Sequence, residues 1–351
     1  MLLSQEKIKK IAVFRALQLG DMLCVIPALR ALRKSYPDAR ITLLGLPWAG
    51  VLLKRFPGYF DGFIHFPGYP GLPEQLYDEQ AYRSFLQRLG EEQFDLVLQM
   101  QGNGTVVNDM MKEWNCRYLA GFHNQESKTD NQLFPEYPAK EHEVIRHIKL
   151  MEHLGIPSCG TYMEFPELPG DVEEVNSLYL PVIDKRYICL HPGSRGDWRR
   201  WPPQDFAILA DHCIEQGYIV LITGTPSEQY IVEEVMKCMK HKAIDVSGKT
   251  SLGAVAYLIR HAALLIANCT GVSHIAAATG TPSLIISMDG EPGRWGAMNK
   301  QIHTTINWLE KPSLENVFNE LYELMDRINS KQMINPLSTN YEVRSTQGAT
   351  G

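Results

Sequence analysis

Short apolar runs of β type alternate with helical segments along almost the whole chain, and this rhythm restricts the fold more than any other feature. Ile11–Ala16 reads as a strand and Gly20–Lys34 as the helix that follows; Ile41–Gly45, Phe63–Phe66, Asp95–Met100 and Tyr118–Phe122 continue the series. Strand, helix and strand in that order make the two strands parallel. The second half repeats the pattern through Tyr187–His191, Tyr218–Thr223, Ala243–Val246, Ala263–Asn268 and Ser283–Met288. No sequence period links the halves, so their expected likeness is architectural and not a tandem repeat. A chain of 351 residues is about twice the usual domain length, which predicts an α/β protein of two Rossmann-like units.

Pro157, Pro166, Pro169 and two glycines mark Ile156–Asp171 as a linker. The expected division is an N-terminal domain over 1–170 and a C-terminal domain over 171–312. A C-terminal helix over 313–330 and a flexible Ser, Thr, Asn and Gly-rich tail over 331–351 complete it. Asn124–Lys140, which lacks apolar periodicity, reads as a long loop.

With 44% hydrophobic residues the chain has enough apolar material for a sizeable core, and its formal charge of −6 argues against a surface built to grip nucleic acid. The polar start at Met1–Lys10, with Arg15 and Asp21 interrupting the next apolar stretch, fits neither a signal peptide nor a membrane span, so a cytoplasmic protein is expected. Seven cysteines without a CxxC pair suit reduced, buried thiols. His142 and His147, five apart, point about 140° from one another on a helix and cannot share a metal. Neither a metal site nor a cofactor is expected. GxGxxG after the first strand and GxxxxGK[ST] are both missing, which lowers the odds of a dehydrogenase or an ATPase.

Small residues at strand-to-helix turns let backbone N–H groups and the positive end of a helix approach an anion. One such turn is Pro192-Gly193-Ser194-Arg195-Gly196, followed by Arg199-Arg200 and the helix opened by Trp201-Pro202-Pro203. Another is Cys269-Thr270-Gly271-Val272-Ser273, where Thr270 or Ser273 is the expected N-cap. A diphosphate held at such turns needs a further cation, and Arg199 is the candidate, with Arg195 and Arg200 as rivals. The alternative is a solvated basic turn. Leu17-Gln18-Leu19-Gly20-Asp21 puts a carboxylate at a helix start, either as a cap or as a general base at the carboxyl edge of a parallel sheet. Gly102-Asn103-Gly104 and Asp289-Gly290-Glu291-Pro292-Gly293 also follow strands and can line a cleft.

Taken together, RALQLGDMLCVIP (15–27), HPGSRGDWRRW (191–201) and NCTGVSHIAAA (268–278) resemble glycosyltransferase family nine, the family of the ADP-heptose lipopolysaccharide heptosyltransferases. The resemblance spans about residues 8 to 330. It implies a GT-B architecture of two facing Rossmann-like domains, a nucleotide-sugar donor held by the C-terminal one, and a glycan or lipid-linked glycan acceptor on the N-terminal one. It also implies metal-independent, inverting transfer. Asp21 is then the base, and Gly193, Ser194, Arg199, Gly224, Glu228, Thr270, Gly271 and His274 form the donor site. Arg15, Gln18, Gly20 and Asn103 are acceptor-side candidates. A lipid-linked acceptor implies peripheral contact with the inner membrane through Lys7, Lys9, Lys10, Arg30, Arg33 and Lys34; a solvated surface is the alternative. The resemblance departs at Cys269, where the family has an Asp expected to contact the donor sugar and a thiol is a weak hydrogen-bond partner. Two other readings are a non-catalytic nucleotide-sugar-binding homologue and a sugar-nucleotide epimerase.

Overall fold

The computed structural model describes residues 3, 5–126, 128–181 and 186–334. Its first half contains β1 (Lys10–Phe14), α1 (Leu19–Ser35), β2 (Arg40–Gly45), α2 (Leu52–Arg55), β3 (Gly62–His65), α3 (Glu79–Glu92), β4 (Leu96–Gln99), α4 (Val107–Met111), β5 (Tyr118–Ala120), α5 (Glu143–His153) and α6 (Pro169–Ser177). The second half contains β6 (Tyr187–His191), α7 (Pro203–Glu215), β7 (Ile219–Ile222), α8 (Gln229–Cys238), β8 (Ile244–Asp245), α9 (Leu252–His261), β9 (Leu264–Asn268), α10 (Gly271–Thr279), β10 (Ser283–Ser287), α11 (Pro292–Trp295), β11 (His303–Asn307) and α12 (Leu314–Ile334).

The strands form two sheets, ordered β3-β2-β1-β4-β5 and β11-β10-β9-β6-β7-β8, and every pairing is parallel. Both sheets are covered on both faces, which is why their strands are near-continuous apolar runs. Ile11 and Val13 face the core between the sheets, whereas Ala12 and Phe14 face the outer layer of the first half. The chain reverses its winding between β1 and β4 in the first sheet and between β6 and β9 in the second. Open α/β sheets bind ligands outside the carboxyl ends of strands at such switch points. Of the turns picked out in the sequence, four follow β1, β4, β6 and β9, and the one at 289–293 follows β10.

Three features depart from expectation. β11 was not foreseen: it is a half-buried edge strand, HTTIN, without the apolar run of its neighbours. α6 begins at Pro169, inside the stretch read as linker, and Arg55 grips its Asp171 with two bonds of 2.7 and 2.9 Å. The last helix continues to Ile334, and the remainder of the expected tail, 335–351, lies outside the described residues. All seven cysteines are free, but only Cys24, Cys189, Cys213 and Cys269 are buried, and Cys238 is exposed. Among the described residues no helix is long and apolar enough to cross a membrane.

The halves meet where α1 and α10 pack start against start. A Cβ at Gly20 would lie 2.6 Å from His274 Cδ2, and one at Gly271 would lie 3.1 Å from Leu19 Cδ2. Glycine is therefore required at position 20 by proximity. Gly20→Ala is expected to cost about 1–3 kcal/mol through overpacking, read as a lowered urea midpoint; an unchanged midpoint would mean that the two helix starts do not touch.

Candidate active site

After β1 the chain turns through Arg15–Gln18, and Gln18, in extended conformation, caps α1 without a side-chain hydrogen bond. Asp21 is the third helical residue, and its carboxylate accepts the backbone N–H of Gln18. Asp21 thus serves the cap role read from the sequence, yet it also lines a cavity of about 270 Å³ between the two halves. Burial raises its pKa above the usual carboxylate range, with the nearby Arg15 as the main opposing influence.

Arg15, expected on the acceptor side, is fully buried and is not among the residues that line the cavity; it lies under the turn and braces it. Its Nε donates to the Asp21 carbonyl at 2.8 Å, and its Nη2 lies 3.5 Å from Asp21 Oδ1 and 3.2 Å from Glu143 Oε1. Nη1 donates to the Met100 carbonyl at the end of β4. Glu143 in turn receives Arg146 at 2.7 Å, His147 at 3.3 Å and, from the other half of the molecule, Arg294 at 3.2 Å. The hydrogen bond from His147 and the guanidinium groups of Arg15 and Arg294 hold the Glu143 carboxyl far below its ordinary range despite burial. His142, next in the chain, bonds the Gly296 carbonyl at 2.8 Å, so α5 is fastened to the segment around α11 twice.

The opposite wall comes from the turns after β6, β9 and β10. Ser194, Arg195, Arg199, Cys269, Thr270, Gly271, His274, Asp289 and Trp295 share the cavity with Asp21. Asn268, wholly buried, sets this wall: its side chain accepts the Trp201 N–H at 3.0 Å and donates to the Pro192 carbonyl at 2.7 Å, tying the β6 turn to the end of β9. Thr270 is the N-cap of α10 but makes no side-chain capping bond, and Ser273 instead donates to the Thr270 carbonyl at 2.7 Å. Burial keeps the His274 ring neutral, with its pKa pushed down to about 4, and pushes the Cys269 thiol up to about 12.

Gly224 and Glu228 line a second cavity of about 510 Å³, which shares Gln18, Gly20, Arg195, Thr270 and Gly271 with the first. A Cβ at Gly193 would lie 2.3 Å from Glu228 Oε1, so a side chain there would displace that carboxylate. Asn103 is exposed, lines neither cavity, and accepts from Thr105 N–H at 3.2 Å and from its hydroxyl at 3.0 Å. Among the basic groups weighed for membrane contact, Arg30 pairs with Glu164 at 3.1 Å, Arg33 with Asp61 at 2.5 Å, and Lys10 donates to the Glu92 carbonyl at 2.8 Å. Among the described residues no group of three or more His, Cys, Asp or Glu stands ready to hold a metal ion.

The sequence reading missed Glu74, a cavity residue from an irregular Gly and Pro-rich loop, and the supporting pair Glu143 and Arg294. A signal for Glu143 existed: an acidic residue in the first turn of an amphipathic helix, on the side expected to be apolar.

Comparison with known proteins agrees with this geometry. The profile of glycosyltransferase family 9 (heptosyltransferase) matches residues 82–321. Lipooligosaccharide heptosyltransferase 2 of Haemophilus influenzae is 31% identical over 286 residues, covering 76% of this chain and 80% of that protein. Lipopolysaccharide heptosyltransferase 3 of Escherichia coli K12 is 27% identical over 282 residues, covering 77% and 79%. In structure the chain is similar to E. coli ADP-heptose lipopolysaccharide heptosyltransferase II, with a TM-score of 0.73 at 19% identity, covering 92% of this chain and 99% of that one. The two parallel-sheet domains are therefore arranged as GT-B.

Two outcomes are expected. Glu143→Ala strands three buried or half-buried guanidinium groups and should cost about 3–5 kcal/mol in denaturant unfolding. His147, His274 and His303 all have pKa values pushed from 6.5 to about 4 by burial. Below 6.5 the unfolded chain binds protons that the folded one refuses, so stability should fall as pH drops from 6.5 toward 4. Equal urea midpoints at pH 7 and pH 5 would contradict this.

Proposed function

Because the chain belongs to glycosyltransferase family 9 and is a glycosyltransferase, we propose that it transfers heptose or a related sugar from an ADP-linked donor to a lipopolysaccharide-core or other glycan acceptor, with inversion and without a metal. The observation that carries this reading is that Asp21, from one half, and Arg199 with the start of α10, from the other, line a single cavity. Residues 1–170 would hold the acceptor and residues 171–312 the donor.

In the proposed reaction the acceptor hydroxyl oxygen bonds to the anomeric carbon of the donor sugar while the bond from that carbon to the diphosphate oxygen breaks. The hydroxyl proton passes to Asp21, and the electron pair leaves with ADP. The raised pKa of Asp21 brings it closer to the task of a general base, which contributes about 10²–10⁴-fold. Charge growing on the leaving diphosphate is met by Arg199, Arg195 and the N–H groups at the start of α10, fixed dipoles that need little reorganisation as the bond breaks. Thr270 and Gly271 bring backbone to the diphosphate, while Gly224 and Glu228 line the adjoining cavity where the nucleoside fits. Gln18 and Gly20, shared by both cavities, lie beside the acceptor.

Asp21→Asn keeps the shape of the side chain and removes the base. Its turnover of ADP-heptose should fall by at least about 10²-fold while ADP affinity, measured by calorimetry, stays within twofold of wild type. A variant with undiminished turnover would remove Asp21 from the mechanism, and a wild type that binds ADP but turns nothing over would favour the non-catalytic homologue.

A further inference from the structure

Asp289 follows β10, the strand beside β9, which Cys269 follows, and its side chain is only 3% exposed. The two carboxylate oxygens are treated differently. Oδ1 is anchored, accepting the Ser287 hydroxyl at 2.6 Å and the Glu291 N–H at 3.2 Å. Among the described residues Oδ2 accepts no hydrogen bond, Arg199 Nη2 lying 3.1 Å away but outside hydrogen-bonding geometry, and Arg199 Nε is likewise buried without a partner. Native folds rarely leave a buried carboxylate oxygen so placed. This one belongs to a residue lining the cavity that Asp21 lines from the opposite half.

The chemistry of the vacancy is narrow. A carboxylate held by one oxygen, with the other unbonded beneath Arg199, is a fixed acceptor once Arg199 moves aside, so its complement is an O–H or N–H donor. A phosphate is excluded by like charge and is drawn to Arg199 instead. Cys269, at the end of the neighbouring strand, is a neutral thiol and a poor acceptor. Within one nucleotide sugar, the anionic half suits Arg199 and the hydroxyl-bearing half suits Asp289.

We propose that Asp289 Oδ2 accepts a hydrogen bond from a ring hydroxyl of the donor sugar and thereby sets which sugar the cavity takes, with Arg199 turning from Asp289 to the diphosphate as the donor binds. The proposal rests on the donor reading given under Proposed function.

The test compares ADP with ADP-heptose and ADP-glucose, by calorimetry on the full chain. Asp289→Asn retains Oδ1 for Ser287 and Glu291 but replaces the unbonded acceptor Oδ2 by an N–H donor. Wild type should bind one of the ADP-sugars more tightly than ADP; in the variant that sugar should lose about tenfold or more in affinity while ADP binds as well or better. If ADP and the ADP-sugar weaken together, Asp289 serves only to balance Arg199, and the proposal fails while the donor reading stands. If wild type binds neither ADP-sugar more tightly than ADP, the donor reading fails and takes the proposal with it. Should the variant not fold, ADP-heptose analogues lacking one ring hydroxyl each answer on wild type: one should bind about tenfold more weakly, and equal binding of all overturns the proposal.

Discussion

The close approach of Gly20 to His274 fixes nearly everything else about the molecule. Two helices, one from each sheet, meet at their first turns, and a single methyl group at position 20 would hold them apart. Since both helices begin at the carboxyl edge of a parallel sheet, bringing their starts together brings together the two edges at which such sheets bind ligands. The cavity is a consequence of that contact. Cys24 Sγ, 3.7 Å from His274 Nδ1, and the His274 ring set edge-on to Trp295 extend the same seam, which accounts for a buried histidine kept neutral there.

Around this seam charge is handled by enclosure. Arg15 is buried where its guanidinium reaches an Asp21 carbonyl, an Asp21 carboxylate oxygen, the Glu143 carboxylate and the end of β4 at once. An ion removed from water is tolerated only when its remaining donors are used, and this cluster uses them to hold the turn that carries Asp21. Glu143 also receives Arg294 from the opposite half, so the frame that positions the proposed base is complete only when the halves are together. The opposing wall is organised by Asn268, a neutral side chain that joins two turns without adding charge beside the cavity.

Much of this was legible in the chain itself. Among the described residues ten of the eleven strands coincide with apolar runs read from the chain, those at the edges β3, β5 and β8 included, and the eleventh, His303–Asn307, escaped because its sequence, HTTIN, lacks such a run. The turns bearing Asp21, Ser194, Arg199 and Thr270 were visible as small or charged residues between a strand and a helix. Asn103 looked equivalent, following β4 at the same switch point, but its side chain is taken up by Thr105 and stands outside both cavities.

The sequence alone determined the α/β class, the parallel sheets, the position of the strand-to-helix turns that line the cavity and the family, because each depends on neighbours within a few residues or on short motifs in order. Only the tertiary structure decided that Arg15 is buried support, that Glu143 and Arg294 join the halves, and that one Asp289 oxygen lies buried beside Arg199 without a hydrogen bond among the described residues. Those roles belong to residues separated by up to 151 positions that share a few ångströms of dry space, and no local pattern in a chain records which distant charges will meet once water is gone.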